Sequence, residues 1–418
     1  MSGAEAAGVA TRAAALRLLD AVLRRGLPLE GALDAAARGL DRSDDRALAH
    51  AIAATVLRHL ADLDALIDGA TAKPLPRDAK ARTALRIALA QALALGTPGH
   101  AAIATVLPLV DGGPRKLVHG VFGALMRQGA ALPAPPSLPP EVIARWQAAW
   151  GAEMVAAAAA SAGTAPLDLT LRDADTSADW TGRLGGTSSA PGHVRLPART
   201  RVAALPGYEE GAFWVQDLAA SLPARLLGKG DGRSVLDLCA APGGKTMQLA
   251  AAGWRVTALD NAASRLARLR ENLARTQLEA RIVEADALTF VPPAPVDAVL
   301  LDAPCSATGT FRRHPDVLHR VRPRGIATLA ERQTAMLARA AQALAPGGRL
   351  VYAVCSLEPE EGEQVAADFL RRHAAFAAEP ALAEELPPAI VPTPEGWVRV
   401  LPGMIEADGF FVARFRKL

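Results

Sequence analysis

From Ser234 onward, short apolar runs rich in branched residues recur along the chain, with helical segments between them. They read SVLDLCA (234–240), RVTALD (255–260), ARIVEAD (280–286), VDAVLLDAP (296–304) and GRLVYAVCS (348–356). Each is short, apolar and closed by a turn signal, which reads as a strand and not as a buried helix. One helix starts at Lys245, a second runs through Asn272, and a third spans about Ile326 to Leu344. Strands that alternate with helices at this spacing pair in parallel through crossovers. Residues 229–418 are therefore predicted to form a doubly wound α/β sheet, with its ligand at the carboxyl ends of the strands.

The rest of the chain follows other patterns. From Thr11 to about Gln128 apolar residues return at three-and-four spacing, as in Ala15, Leu18, Leu19, Val22 and Leu23, in Ile52, Val56 and Leu60, and in Leu85, Leu89 and Leu93. Breaks fall at Gly26-Leu27-Pro28, Lys73-Pro74-Leu75-Pro76, Gly96-Thr97-Pro98-Gly99 and Gly112-Gly113-Pro114, so an all-α bundle with short connections is expected over 1–130. The proline-dense stretch 130–140 reads as a linker. A helix around Val142 to Ala160, a strand LDLTL (167–171) and a Gly/Ser-rich loop at 182–192 make 131–228 a linker and small α/β segment. A chain of 418 residues suits such a multidomain arrangement.

Composition removes several classes of function. No apolar run is long enough to span a bilayer, and MSGAEAAGVATRAAALRLLD lacks a basic region followed by an apolar one. Glu5 and Asp20 count against a transit peptide, so a cytoplasmic protein is expected. The three cysteines, Cys239, Cys305 and Cys355, lie far apart with no CxxC pair and no clustered histidine. That argues against a disulfide scaffold, and no metal site is expected. Residues 1–130 carry 16 Lys+Arg against 12 Asp+Glu, residues 131–228 carry 7 against 9, and residues 229–418 carry 23 against 22. The basic excess of the helical module suits RNA, although a solvated helical surface accounts for the same numbers.

The chemistry concentrates at the strand ends. LDLCAAPGGKT (236–246) is a turn of small residues that lets backbone approach a ligand at a helix N-terminus. It is no Walker loop, because Cys239 stands where the first glycine is needed, and the GxGxxG of a dinucleotide fold is absent. A nucleoside-type site is left. Asp260, Asp286 and Asp302 follow the second, third and fourth strands. The first can accept both ribose hydroxyls and the second an adenine amino group. One such aspartate is more often a helix cap, but three in succession favour S-adenosylmethionine. Cys305 and Cys355 also close strands and open onto the same crevice.

Two thiols beside a methyl donor point to carbon as the acceptor, since N- or O-methylation needs no cysteine. Carbon 5 of cytosine is a poor nucleophile until a thiolate adds at carbon 6 and turns the ring into an enamine. Asp302, near the ring nitrogen and amino group, can support the protonation that makes addition feasible. Position alone does not rank the two cysteines.

These residues closely resemble the RNA cytosine-C5 methyltransferases of the NOL/NOP2/Sun family. The matching blocks are LDLCAAPGGKT, LDAPCSATGTFRRHPDV (301–317), YAVCSLEPEEGEQV (352–365) and DGFFVARF (408–415), with Val215-Gln216-Asp217 as lead-in, covering roughly 141–418. The helical region resembles a NusB-like RNA-binding domain, and Arg313-His314-Pro315-Asp316 strengthens the likeness. The resemblance implies a Rossmann-like S-adenosylmethionine-dependent domain acting on RNA, above all 16S ribosomal RNA. It implies cofactor contacts from Cys239, Ala240, Ala241, Pro242, Gly243, Gly244, Lys245, Asp260, Asp286 and Asp302. It also implies attack by Cys355 and product release by Cys305.

Three positions depart from the family pattern: Gly362 for the usual Asn, Val354 for Thr, and Arg172-Asp173-Ala174 in place of an RVN-like signature. Other readings are the same reaction on transfer RNA or large-subunit rRNA, exchanged cysteine roles with Cys305 attacking, and a non-catalytic RNA-binding or antitermination factor.

Overall fold

A computed structural model describes residues 3–198 and 200–418. The chain forms two compact units. The first runs to Gly163 and takes in Phe311–Val321; the second holds Thr164–Thr310 and Arg322–Leu418. Among the described residues no helix is long and apolar enough to cross a membrane.

The first unit is helical throughout, with helices at Gly3–Leu23, Leu29–Ala36, Ser43–Arg58, Leu60–Gly69, Lys80–Leu93, Gly99–Val106, Gly113–Arg127, Pro140–Trp150 and Ala152–Ser161. The expected apolar stripes face inward: Leu18, Leu19, Ile52, Val56, Leu85 and Leu89 are all buried. Prolines mark several helix starts, where a missing N–H costs nothing: Pro28 and Pro98 as N-caps, Pro114 and Pro140 in the first turn. Helix Lys80–Leu93 is buried on every side and carries Arg82 and Arg86 into the core. They are tolerated because acidic partners meet them: Arg82 pairs with Asp64 at 2.9 Å and with Asp68, and Arg86 forks onto Asp64 with two bonds of 2.8 Å.

The domain boundaries differ from those that composition suggests. The proline-dense stretch is packed and not a free tether, with Pro136, Leu138 and Pro139 buried and Ser137 N donating to Asp62 at 3.1 Å. Phe311–Val321, expected within the catalytic region, belongs to the helical unit. The Phe311 ring lies 5.4 Å from Trp146. Arg58 donates to Arg312 O at 3.1 Å, and Leu29 N donates to Asp316 at 3.3 Å. An aromatic ring and a buried carboxylate find partners there that sequence adjacency does not reveal.

The second unit contains two sheets. β1 (Leu167–Leu171), β2 (His193–Leu196) and β3 (Phe213–Val215) form a small antiparallel sheet in the order β2-β1-β3. The larger sheet uses β4 (Ser234–Leu238), β5 (Arg255–Asp260), β6 (Arg281–Glu284), β7 (Val296–Asp302), β8 (Leu344–Val354), β9 (Phe376–Ala378), β10 (Val398–Val400) and β11 (Phe410–Lys417). Its order is β10-β11-β8-β7-β4-β5-β6, with β9 also on β11. β4 to β8 pair in parallel as expected, while β11 runs antiparallel to β8, β9 and β10. The chain moves outward through β5 and β6, then returns to the other side of β4 for β7 and β8. That reversal is the switch point where a doubly wound sheet opens a crevice. Register puts Leu238 beside both Leu259 and Leu301, and Asp302 beside Ala353, so the ends of β4, β5, β7 and β8 lie along one edge.

Candidate active site

The turn after β4 is shaped by backbone that few residues accept. Cys239 has φ +61° and Gly243 has φ +109°. A Cβ at Gly243 would stand 2.3 Å from Leu269 Cδ1, so glycine is required there. Helix Gly244–Ala251 then starts with its N-terminus at the crevice. Burial, helped by the charges of Asp302 and Asp260, pushes the Cys239 thiol up to about 12. A thiol held neutral in this way is a wall of the turn and no nucleophile.

Asp260, at the end of β5, is buried. Its Oδ2 accepts from Ala241 N at 3.3 Å, and its Oδ1 accepts from Ala262 N at 3.0 Å and Arg265 Nη2 at 2.7 Å. It thereby holds the small-residue turn against the end of the neighbouring strand. Asp286, just past β6, accepts from Leu288 N at 2.9 Å and closes a turn. Asp302, the last residue of β7, receives Lys245 Nζ at 2.7 Å. Burial works against the Lys245 ammonium, but Asp302 outweighs it and holds the lysine above its ordinary range, with a further contribution from Cys355. The same ammonium lies 5.4 Å from the centre of the Phe410 ring.

The two cysteines read from strand ends do meet, with 3.5 Å between Cys305 Sγ and Cys355 Sγ. Cys305 is pushed well above the ordinary thiol value, first by its contact with Cys355 and then by burial. The structure thus gathers Lys245, Asp302, Cys305 and Cys355 at the ends of β7 and β8 and the start of helix Gly244–Ala251.

Some residues of this edge escape a reading of the sequence. Asp237, inside β4, is fully buried; its Oδ2 takes the Thr246 hydroxyl at 2.6 Å, while Oδ1 has no hydrogen-bond partner among the described residues. Burial pushes its carboxyl up to about 7. The acidic run of LEPEEGE looks like a solvated face, yet Glu358 and Glu361 are wholly buried. Glu361 accepts from Ser306 N at 2.8 Å, from Ser356 Oγ at 2.6 Å and from Gln333 Nε2 at 3.0 Å. The departure at Gly362 has a steric account. A Cβ there would come within 2.5 Å of Arg399 Nη2 and 2.9 Å of the Phe411 ring. Arg399 fills that space, forks onto Glu363 at 2.8 and 2.6 Å, and donates to Ser356 O at 2.6 Å.

Comparison with known proteins agrees with this fold. Residues 224–416 match the family described as 16S rRNA methyltransferase RsmB/F, and residues 9–126 match the NusB family. Ribosomal RNA small subunit methyltransferase B of Xanthomonas campestris pv. campestris is 36% identical over 434 aligned positions, covering 99% of this chain and 98% of its own. The protein of the same name from Cronobacter sakazakii is 33% identical and covers 97% and 98%. Among solved structures, a methyltransferase homolog protein from Pyrococcus horikoshii has a TM-score of 0.55 at 27% identity, over 71% of this chain and 98% of that one. NSun6 from Pyrococcus horikoshii, solved with SFG, shares the fold with a TM-score of 0.58 at 19% identity, over 67% and 98%. The chain belongs to the ribosomal RNA small subunit methyltransferase B family, whose members are S-adenosylmethionine-dependent methyltransferases of ribosomal RNA.

Proposed function

We propose that the chain methylates carbon 5 of a cytosine in 16S ribosomal RNA, through an adduct between Cys355 and carbon 6. The observation that carries this reading is the pair of thiols 3.5 Å apart beside the Lys245–Asp302 ion pair. Other methyl acceptors would need neither thiol.

The strand ends suit S-adenosylmethionine by their donor set. Asp260 and Asp286 supply acceptors for ribose and adenine, residues 239–245 present small residues and a helix N-terminus, and Asp302 offers a carboxylate toward a cationic group. When bound, the cofactor supplies an electrophilic methyl group. The chain's own residues do the rest. The Cys355 thiol gives its proton to a base, its Sγ bonds to carbon 6, and the electron pair of the carbon 5–carbon 6 double bond moves toward carbon 5. Asp302, held by Lys245, accepts a hydrogen bond from the protonated ring edge and favours that addition. After methylation a base removes the carbon-5 proton, the electron pair reforms the ring double bond, and Cys355 leaves as thiolate. Cys305, whose thiol is kept protonated, stands within reach of the leaving sulfur and supports release. Bisulfite sequencing of 16S rRNA with and without the protein tests the reading; no protein-dependent protected cytosine would sink it.

The helical unit is assigned to RNA affinity on its likeness to the NusB family and its basic excess of 16 against 12. Arg115→Ala with Lys116→Ala, both exposed, should lower the slope of log affinity against log salt by about 1–2. An unchanged slope would remove these residues from the RNA contact.

A further inference from the structure

Each of the paired cysteines is followed by a serine, and both serines end on one carboxylate. Ser306 Oγ and Ser356 Oγ both donate to Glu361 Oε2, the latter at 2.6 Å. The other oxygen, Oε1, accepts from Ser306 N at 2.8 Å and Gln333 Nε2 at 3.0 Å. Gln333 Nε2 also donates to Pro304 O at 2.9 Å, immediately before Cys305. Tyr352 donates its hydroxyl to Glu361 O at 2.5 Å and so ties the backbone of this residue to β8.

Burying a carboxylate is costly unless every lone pair is met, and here four donors meet it. None of those donors is a thiol or one of the strand-end aspartates. Every bond instead restrains a residue next to a cysteine, or the prolyl carbonyl before one. The loops after β7 and β8 also meet through Ser306 Oγ and Ser356 Oγ at 3.1 Å, Leu357 N donating to Thr308 Oγ1 at 3.0 Å and Gly309 N to Cys355 O at 3.1 Å, but only the Glu361 carboxylate holds both serine hydroxyls and, through Gln333, the Pro304 carbonyl among the described residues. Two sulfurs that serve one substrate ring need their separation held to about 0.5 Å.

We propose that Glu361 is a positioning residue that locks the Pro-Cys loop after β7 to the cysteine loop after β8. It thereby sets the spacing of Cys305 and Cys355 without touching the substrate. This rests on the cysteine chemistry proposed above, but its test reads the spacing of the thiols directly and needs no methylation.

Diamide joins two neighbouring thiols as a disulfide and is itself reduced to the hydrazine, at a rate set by how readily the sulfurs meet. The full-length protein is treated with diamide, quenched by alkylation, and Cys305–Cys355 closure is followed by peptide mass spectrometry. Glu361→Ala should slow closure by about tenfold or more, because both loops lose their common anchor. Glu361→Gln should stay within about threefold of the parent, since its amide oxygen keeps the Oε1 bonds and its NH2 can donate to hydroxyls that turn round. The kcat should fall in parallel with closure while the KM for S-adenosylmethionine holds. Ser306→Ala removes one anchor only and should slow closure by about threefold, which keeps a measurement in hand if the glutamate variant does not fold. Closure at the parent rate in folded Glu361→Ala, or in Ser306→Ala, would overturn the proposal. A missing RNA product with closure behaving as expected would overturn the function and leave the positioning role standing.

Discussion

Asp64, half-buried in the helical unit, and Asp237, fully buried in the central strand of the sheet, respond in opposite ways. Burial pushes the Asp64 carboxyl up, but the guanidinium forks of Arg86 and Arg82 outweigh it and hold the group below the usual carboxylate range. Asp237 has a single hydroxyl partner and one oxygen with no hydrogen-bond partner among the described residues, and it rises to about 7. In the helical unit Arg82 and Arg86 close their charges against Asp64 and Asp68, and the effect of those pairs is structural. The strand ends concentrate groups whose partners are incomplete or shared: Asp237, Lys245 against Asp302, and two thiols against each other. Perturbed groups of that kind cluster where a ligand is handled. The contrast implies that substitutions at the strand ends should cost activity before stability, and that those in the helical pairs should do the reverse.

The largest effect tests that split at the thiols. Cys355→Ser should lower methyl transfer by at least about a thousandfold, because a serine hydroxyl is a far weaker nucleophile than a thiolate. Cys305→Ser should still add to carbon 6 and transfer the methyl to carbon 5, then fail to eliminate, leaving a nuclease-sensitive shifted band on a denaturing gel. Thermal midpoints should barely move in either variant. A trapped band from Cys355→Ser and none from Cys305→Ser would reverse the roles. In the helical unit the pattern should invert. Arg82→Met takes a buried guanidinium from Asp64 and from the part-exposed Asp68 and should cost about 1–2 kcal/mol of stability, read from the urea midpoint. A kcat change in this variant larger than its stability change would break the comparison.

Asp260→Ala should weaken S-adenosylmethionine binding by about 1.5–3 kcal/mol, as for hydrogen bonds to a charged group. Because Asp260 also holds Ala241 N and Ala262 N, part of that loss comes through the turn. Asp260→Asn keeps one acceptor oxygen and should lose less. Calorimetry showing unchanged affinity in folded Asp260→Ala would take the residue out of the site.

How much of this was legible depended on whether a signal was local. β4, β7 and β8 are readable because each holds a continuous apolar run ended by a turn, as a strand buried on both faces must, whereas the edge strand β6 is legible only from its place in the alternation. Cys305 and Cys355 were readable for the same reason: a strand end in a doubly wound sheet has only one place to be. β2, β3, β9 and β10 carry no such signal, being strands of three or four residues that form only against partner strands elsewhere in the chain. β11 shows the same limit, since FFVAR passes for any apolar terminus until β8 pairs with it. Phe311–Val321 lies within the predicted catalytic region and largely within a motif resembling the family's, yet its aromatic and acidic side chains are satisfied among helices. Glu361 was hidden because an acidic run is ordinarily solvated, and its donors lie 5 to 55 residues away.

The last test compares the two aspartates most directly. Asp237 ionises near pH 7 when folded and near 3.9 when unfolded, so the unfolded chain releases its proton first. Stability from this group is therefore complete below about pH 4 and is lost as pH rises toward 7, at no more than about 1.4 kcal/mol per pH unit. Asp237→Asn keeps an oxygen for the Thr246 hydroxyl and removes the ionisation. Its thermal midpoint relative to the parent should rise between pH 5 and pH 7 and then level off. Asp64 carries the opposite sign. Its depressed carboxyl contributes stability above about pH 4 that disappears only as pH falls further, so Asp64→Asn should be most destabilised near neutrality. Parallel pH profiles for the two asparagine variants would show that Asp237 is paired as Asp64 is, and the distinction between closed and open charge would fall with it.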